Sequence, residues 1–261
     1  MKTGDILDEL TALRRADAER READIPFAEM MRRAEGAPAP RDFAAAFRGA
    51  GVRIIAELKR ASPSEGMIRE EFRPAELATG LEAAGAAALS VLCEPHRFLG
   101  DERYLSAVRD AVGLPILYKD FVSTRYQVAA ARAAGADAVL LIAAVLGDAE
   151  LKDLLDFAHG IGLSALVETH DGQEIGRAVR SGARIIGVNC RNLRNFECDV
   201  SLLEALVGRI PRPCVRIAES GMHSPEAIRR AKDAGADGFL VGTALMRAPS
   251  PAAKLNEVIN T

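Results

Sequence analysis

The sequence predicts an α/β fold, specifically a (β/α)8 TIM barrel with an N-terminal helical extension. After Gly51, short apolar stretches alternate with helical ones, which is typical of right-handed βαβ units in a parallel sheet. A small-residue turn containing Gly-Ala precedes a strand four times, at Gly85, Gly135, Gly182 and Gly235. Each glycine would close the preceding helix as a left-handed C′ residue. Roughly eight such units close into a barrel.

The chain divides into residues 1–50, predicted as helices packed on the barrel, and residues 51–261, the barrel itself. We expect these parts to form one domain, because the length suits a single large α/β domain. Pro26 favours the start of a second helix. Asp42 favours a cap for a short helix that runs through Phe47.

The remaining elements follow in order. A doubly wound open sheet is the competing fold, and it is disfavoured because no Gly-x-Gly-x-x-Gly follows the first strand. Helices are predicted at 74–84, 124–134, 149–159 and 224–234, among others. Besides the four strands that follow the Gly-Ala turns, strands are predicted at 52–58, 115–118, 163–167 and 213–218.

Composition excludes several classes of protein. The net charge of -3 gives no reason to expect a nucleic acid partner. The longest apolar run, 138–146, is too short to cross a bilayer, and the N-terminus lacks the apolar region of a signal peptide. We therefore expect a cytoplasmic protein with no membrane partner, a monomer or at most a weak homodimer. Reduced thiols without metal-site spacing are expected at Cys93, Cys190, Cys198 and Cys214.

Two charged side chains mark the end of the first strand. Glu57 and Lys59 are two residues apart, so they point to the same side of the strand. Packing alone does not explain two charges at the end of an apolar strand. The loop that follows, with Ser62 and Gly66, offers hydroxyl and backbone N–H groups suited to an anion.

Other predicted strands also end in polar groups. Lys119 ends the third strand, Glu168 the fifth, Asn189 the sixth with Arg191 just beyond, and Glu219 the seventh. In a barrel of this kind the active site lies at the carboxyl ends of the strands. Lysines and glutamates gathered there predict an acid–base site. The alternatives are that single charges are solvated boundary residues or that paired charges only neutralise each other.

A second group of residues predicts a phosphate site. Loops seven and eight of these barrels commonly bind phosphate. Ser220 and Gly221 follow the seventh strand, and Gly242 and Thr243 follow the eighth. A Gly-Thr pair alone would be a helix cap more often than not. Because Gly221 lies at the end of the neighbouring strand, a phosphate site is the favoured interpretation of Gly242 and Thr243.

No cofactor is predicted. The four histidines form no spaced set, and neither a metal cluster nor a dinucleotide motif is visible. The predicted chemistry is acid–base catalysis without a metal or cofactor.

These residues resemble the indole-3-glycerol-phosphate synthase family over about 54–247. The most specific stretches are Ile-Ala-Glu-Leu-Lys-Arg-Ala-Ser-Pro-Ser at 55–64 and Pro-Ile-Leu-Tyr-Lys-Asp-Phe at 115–121. Similar stretches lie at 89–94, 166–168, 187–193, 218–221 and 240–247. The resemblance implies ring closure, decarboxylation and dehydration of 1-(2-carboxyphenylamino)-1-deoxyribulose 5-phosphate to indole-3-glycerol phosphate.

The resemblance also implies roles for individual residues. Lys119 corresponds to the acid that protonates the carbonyl, Glu168 to the general base, and Lys59 to a second acid or charge partner. How the two lysines divide the acid roles is left open. The other implied roles are orientation of the lysines and ribulose hydroxyls by Glu57, Asn189 and Glu219, carboxylate binding by Ser62 and Arg191, a slot for the aromatic ring from Phe98, Phe121, Leu140 and Leu193, and phosphate binding by Gly221, Gly242 and Thr243 with assistance from Ser220 and Lys59.

The sequence departs from the family at Glu65, where a lysine is common, and at Cys93 and Cys190. Three alternatives remain at this stage. They are a related phosphosugar isomerase, a Schiff-base aldolase that uses Lys119, and a non-catalytic phosphosugar-binding paralogue.

Overall fold

The computed structural model describes residues 6–191 and 200–260. In this part of the chain, eight parallel strands form a closed barrel, and each pairs with its neighbours in sequence, so the predicted fold class is confirmed. We number the barrel strands β1 Ile54–Leu58, β2 Ala88–Leu92, β3 Ile116–Lys119, β4 Ala138–Ile142, β5 Ser164–Thr169, β6 Ile185–Asn189, β7 Val215–Glu219 and β8 Gly238–Val241.

Helices surround the barrel and precede it. Two short 3₁₀ helices lie at Ala44–Phe47 and Ala143–Val145. The α-helices are α1 Ile6–Asp24, α2 Phe27–Gly36, α3 Pro74–Ala83, α4 Glu102–Ala111, α5 Arg125–Ala133, α6 Asp148–Gly160, α7 Gly172–Arg180, α8 Val200–Val207, α9 Pro225–Asp233, α10 Thr243–Arg247 and α11 Pro251–Ile259. No helix within the described residues is long and apolar enough to cross a membrane.

The Gly-Ala turns close helices as predicted. Gly85 has φ of 92° and Gly135 has φ of 95°, a backbone region that side chains with a Cβ rarely adopt. The following alanine N–H bonds back to the helix, from Ala86 to the Leu81 carbonyl at 3.0 Å. These are Schellman motifs. They direct the chain from each helix into the next strand.

Two predictions about the N-terminal region are met, and the first loop contains a short hairpin. Pro26 directly precedes α2. The Asp42 carboxylate accepts a 3.0 Å hydrogen bond from the Ala45 N–H at the start of the 3₁₀ helix. In the loop after β1, Ala61–Ser62 and Gly66–Met67 pair as a short antiparallel hairpin.

The apolar side chains of the barrel pack in two layers. One apolar layer fills the space between the strands and the outer helices. A second fills the barrel interior, where Leu117 and Leu166 meet Phe47 from the 3₁₀ helix and Leu7 and Leu10 from α1. The N-terminal helices therefore add side chains to the barrel's own core.

A buried ion pair holds α1 at the end of β3. The Arg14 guanidinium donates hydrogen bonds of 2.7 to 3.0 Å to Asp120, whose side chain is fully buried. Tyr118 also donates to Asp120, at 2.8 Å. Asp120 directly follows Lys119, so α1 lies close to the carboxyl ends of the strands. The assignment of residues 1–50 and 51–261 to one domain stays a prediction.

Candidate active site

A cavity of about 480 Å³ opens at the carboxyl ends of the strands. It collects side chains that lie far apart in sequence and that the sequence analysis singled out. The cavity is lined by Glu57, Lys59, Phe98, Lys119, Phe121, Leu140, Glu168, Asn189, Arg191, Glu219, Ser220, Gly221, Gly242 and Thr243, among others. The structure thus places these residues together, while their individual roles stay predictions.

Two predicted site residues are not found there. Ser62 lies on the hairpin after β1, where its side chain is buried and its Oγ is 3.4 Å from Ser64 Oγ. Ser62 is not among the residues that line the cavity, and its contact with substrate stays a prediction. Leu193 lies outside the described residues.

Lys119 lies at the centre of the site. Its Nζ donates one hydrogen bond to Glu168 Oε2 and another to Glu219 Oε2, both at 3.1 Å. Burial disfavours the ammonium, but the two carboxylates outweigh this effect and raise the pKa of Lys119 above its usual value. Lys119 is therefore a charged proton donor at neutral pH.

Glu168 is held at both oxygens. Asn189 Nδ2 donates a 3.1 Å hydrogen bond to Glu168 Oε1, while Lys119 binds Oε2. Burial opposes ionisation of Glu168, but Lys119 and the imidazole of His170 outweigh it and lower its pKa. Glu168 is consequently a carboxylate in the free protein.

Glu219 has the opposite charge preference. Burial and repulsion from Glu168 raise its pKa to about 8, although Lys119 opposes the shift. Two carboxylates that share one ammonium cannot both ionise easily. Of the two carboxyl groups, Glu219 therefore retains a proton more readily, and Glu168 ionises first.

Glycines make room for two of these carboxylates. A Cβ built at Gly187 on β6 would overlap Glu219 Oε1, and one built at Gly242 would overlap Glu57 Oε1. Glu57 in turn lies 2.7 Å from Lys59 Nζ. Gly242 thus positions a charged pair in addition to the phosphate role predicted for it.

The loops after β7 and β8 form another part of the wall. Ser220 and Gly221 both have positive φ, of 63° and 69°. A non-glycine residue in this conformation is uncommon, and such strain is concentrated at functional sites. Thr243 begins the short helix α10 directly after Gly242.

An apolar wall lies beside the charged groups. The rings of Phe98 and Phe121 are 6.2 Å apart between centroids. Leu140 lies in the same apolar cluster. This surface suits a planar aromatic group.

Sequence reasoning gave no site role to several residues that line the cavity, among them Leu7 and Arg247, and noted Glu65 only as a departure from the family. Leu7 arrives from α1, and its only signal in the sequence is its place in an apolar stripe. Glu65 and Arg247 form an ion pair across the cavity entrance, between the β1 loop and α10. Nothing in the sequence pairs residues that are so far apart.

The fold and the site define a (β/α)8-barrel protein with a lysine–glutamate acid–base cavity at the carboxyl ends of its strands. Comparison with known families gives a specific assignment. The sequence profile of the indole-3-glycerol phosphate synthase family matches residues 7–258. The chain therefore belongs to this family, as the sequence motifs predicted.

Individual relatives agree. Indole-3-glycerol phosphate synthase of Micrococcus luteus is 48% identical over 251 residues, which cover 94% of each chain. The protein of the same name from Azoarcus sp. is 46% identical over 257 residues, covering 96% of this chain and 97% of that one.

Solved structures support the fold alone. The thiamine phosphate pyrophosphorylase of Pyrococcus furiosus superposes with a TM-score of 0.61 at 16% identity, covering 79% of this chain and 93% of that chain. The N-acetylmannosamine-6-phosphate 2-epimerase of Clostridium perfringens gives a TM-score of 0.58 at 20% identity, covering 74% of this chain and 86% of that chain.

Proposed function

We propose that the protein converts 1-(2-carboxyphenylamino)-1-deoxyribulose 5-phosphate to indole-3-glycerol phosphate, carbon dioxide and water, as a carbon–carbon lyase of the carboxy-lyase class. Family membership supports this reaction. The observation that carries the mechanism is the Lys119 ammonium held in the cavity between Glu168 and Glu219.

Lys119 acts as the acid of ring closure. The aromatic carbon that bears the carboxylate bonds to the ribulose carbonyl carbon, and the carbonyl oxygen takes a proton from Lys119 Nζ. The raised pKa of Lys119 suits this role, because burial is outweighed by two carboxylates that keep the amine charged. The same shift argues against a Schiff-base aldolase, which needs a neutral amine.

Decarboxylation and dehydration complete the reaction. Loss of carbon dioxide restores the aromatic ring, and Phe98 and Phe121 exclude water from the face where this occurs. The new hydroxyl then leaves as water with a proton from Lys59, while Glu168 removes the proton that allows the indole double bond to form. Glu57, 2.7 Å from Lys59, orients that second acid.

Charge complementarity supports binding of this substrate. The substrate carries a phosphate and a carboxylate, and the cavity lining includes the cationic side chains of Lys59, Lys119 and Arg191. We assign the phosphate to backbone N–H groups near Gly221 and Gly242 and the carboxylate to Arg191. The aromatic ring lies against Phe98, Phe121 and Leu140, and Thr243, Ser220, Asn189 and Glu219 bind the phosphate and the ribulose hydroxyls.

The test is direct. Mixing the protein with the carboxyphenylamino-ribulose phosphate should produce indole fluorescence as product forms. Tight binding of the compound without any fluorescence change would instead identify a non-catalytic phosphosugar-binding paralogue. The cytoplasmic location and the monomeric state stay predictions, which cell fractionation and analytical ultracentrifugation would test.

A further inference from the structure

His170 lies directly beside the base of the proposed reaction. It follows β5 and is two residues beyond Glu168, so both side chains leave the same face of the chain. His170 Nε2 is 3.5 Å from Glu168 Oε1. Nε2 is buried and has no hydrogen-bond partner within the described ranges, and its contact with this carboxylate is ionic.

The other side of the imidazole is held by Glu174 on α7. Glu174 Oε2 accepts a 2.7 Å hydrogen bond from the His170 backbone N–H and lies 3.2 Å from Nδ1. The first turn of α7 is itself fixed, because the Asp171 carboxylate accepts the N–H groups of Gln173 and Glu174 at 2.8 Å. Glu174 is thus a rigid partner for the histidine.

Carboxylates face the imidazole on both sides. Glu168 on β5 lies beside Nε2, and Glu174 on α7 lies beside Nδ1. Asp171 lies at the start of α7, and Lys119 binds the opposite oxygen of Glu168. Burial disfavours the imidazolium, but these carboxylates outweigh it and raise the pKa of His170 to about 10.

We propose that His170 is a positioning residue for Glu168, and that Glu174 holds His170 in the orientation this requires. The inference rests on the proposed function. When a substrate carbonyl engages Lys119, the bond from Lys119 to Glu168 Oε2 weakens. Oε1 keeps its 3.1 Å hydrogen bond from Asn189 Nδ2 and its ionic contact with His170 Nε2 at 3.5 Å. Glu168 therefore keeps its orientation while its other oxygen becomes free to take a proton.

The first test separates kcat from KM. His170 does not line the cavity, so His170→Gln should change KM little. Its kcat should fall by up to about 10²-fold, the effect of a misplaced catalytic group. His159→Gln, on α6, is the matched control and should keep wild-type kinetics. Wild-type kcat in His170→Gln, or an equal loss in His159→Gln, would overturn the proposal.

The second test uses the pH profile. Glu174→Gln keeps an amide oxygen as acceptor but removes a negative charge, so it should lower the pKa of His170. Because the protonated imidazole is the functional form, kcat should then decline at lower pH than in the wild type. Identical basic limbs in the two proteins would contradict the role of His170, and this variant keeps the test valid if His170→Gln fails to fold.

A third measurement does not depend on turnover. Imidazole resonances of His170, followed by NMR in the wild-type protein, should titrate far above an ordinary histidine and shift downward in Glu168→Gln. Ordinary titration of His170 would overturn the inference even in a protein with full activity. Absence of wild-type turnover with an abnormal His170 titration would refute the proposed function and leave the His170–Glu168 coupling supported.

Discussion

Lys119 and Glu168 are hydrogen-bonded to each other, with Nζ 3.1 Å from Oε2. The proposed acid and the proposed base therefore neutralise one another before substrate arrives. Glu219 shares the same ammonium at the same distance. Lys119 has a third N–H that can donate to a substrate carbonyl, and once that proton is transferred the neutral amine holds Glu168 less strongly, which frees its Oε2 for the later step.

Lys119→Met should abolish most turnover while weakening substrate binding only modestly. Losing a positioned general acid costs about 10²–10⁴-fold in rate. Binding should survive because Lys59 and Arg191 still attract the two anionic groups. The variant should also lose about 3–5 kcal/mol of stability, since removing one partner leaves buried carboxylates uncompensated. Steady-state kinetics and urea unfolding measure these effects.

Lys59→Met is the comparison for that experiment. If Lys119→Met kept its kcat and lost only affinity, Lys119 would be a binding residue. The large loss of kcat should then appear in Lys59→Met, and Lys59 would be the acid of ring closure.

Glu219→Gln should be tolerated better than Glu168→Gln at neutral pH. An amide resembles a protonated carboxyl, and burial with repulsion from Glu168 raises the pKa of Glu219 to about 8. Glu168 is ionised, so its amide variant loses the base and about 10²–10⁴-fold in kcat. Equal losses of kcat in the two variants would mean that Glu219 acts as a carboxylate.

The free energy of unfolding should depend on pH through the proton bound to Glu219. The folded pKa of Glu219, about 8, lies above the value of 4.5 for an exposed carboxyl. Its stabilising contribution is thus complete below pH 4.5 and is lost as the pH rises through about 8. Relative to the wild type, Glu219→Gln should therefore gain stability as the pH rises from 4.5 to about 8, the window between the two pKa values. Urea unfolding at several pH values measures the difference, and parallel curves would contradict it.

Gly242→Ala should damage both binding and turnover. A Cβ there would overlap Glu57 Oε1, so Glu57 must move away from Lys59. We expect a higher KM for the phosphorylated substrate and a kcat lower by up to about 10²-fold. Gly80→Ala on α3, where a Cβ meets open space, is the matched control and should leave both constants unchanged. An unchanged KM in Gly242→Ala would place the phosphate elsewhere.

Glu65→Gln should strengthen substrate binding. Glu65 neutralises Arg247 at the entrance of the cavity, and its loss exposes a cation to the anionic substrate. KM should fall by several-fold at low salt and less at high salt, since exposed charges are screened. Stability should change by less than about 1 kcal/mol, because the pair is partly exposed.

Glu76→Gln provides the control for Glu65→Gln. Glu76 pairs with Arg73 on the surface, outside the cavity, so its removal changes net charge equally. The same fall in KM in both variants would show a general charge effect and contradict a specific role for Glu65.

Much of the site could be predicted from the sequence, because the end of each apolar run marks the end of a strand. In a closed parallel barrel, the residue that ends each apolar run faces the same opening, so Lys119, Glu168 and Glu219 could be grouped without coordinates. The strands themselves extend slightly further than predicted, since Glu168, Asn189 and Glu219 lie within paired backbone. Local patterns fail there because a polar side chain does not end backbone pairing.

Other features depend on contacts between distant segments. Leu7 reaches the cavity because α1 is held against the barrel, by the Arg14–Asp120 ion pair and by apolar packing. Ser62 lies in a short hairpin and does not line the cavity, although its sequence neighbours suggested an anion-binding loop. The role inferred for His170 was likewise hidden, since four scattered histidines form no pattern.

The sequence by itself determined the barrel, the family and the set of charged residues at one end, because periodicity and motifs are local properties of the chain. Tertiary structure alone decided which charges pair and which carry protons. Glu168 and Glu219 are chemically identical and both bind Lys119, yet burial, Asn189 and neighbouring charges separate their pKa values in opposite directions. Such differences arise from desolvation and distance, which exist only once the strands have closed around the site.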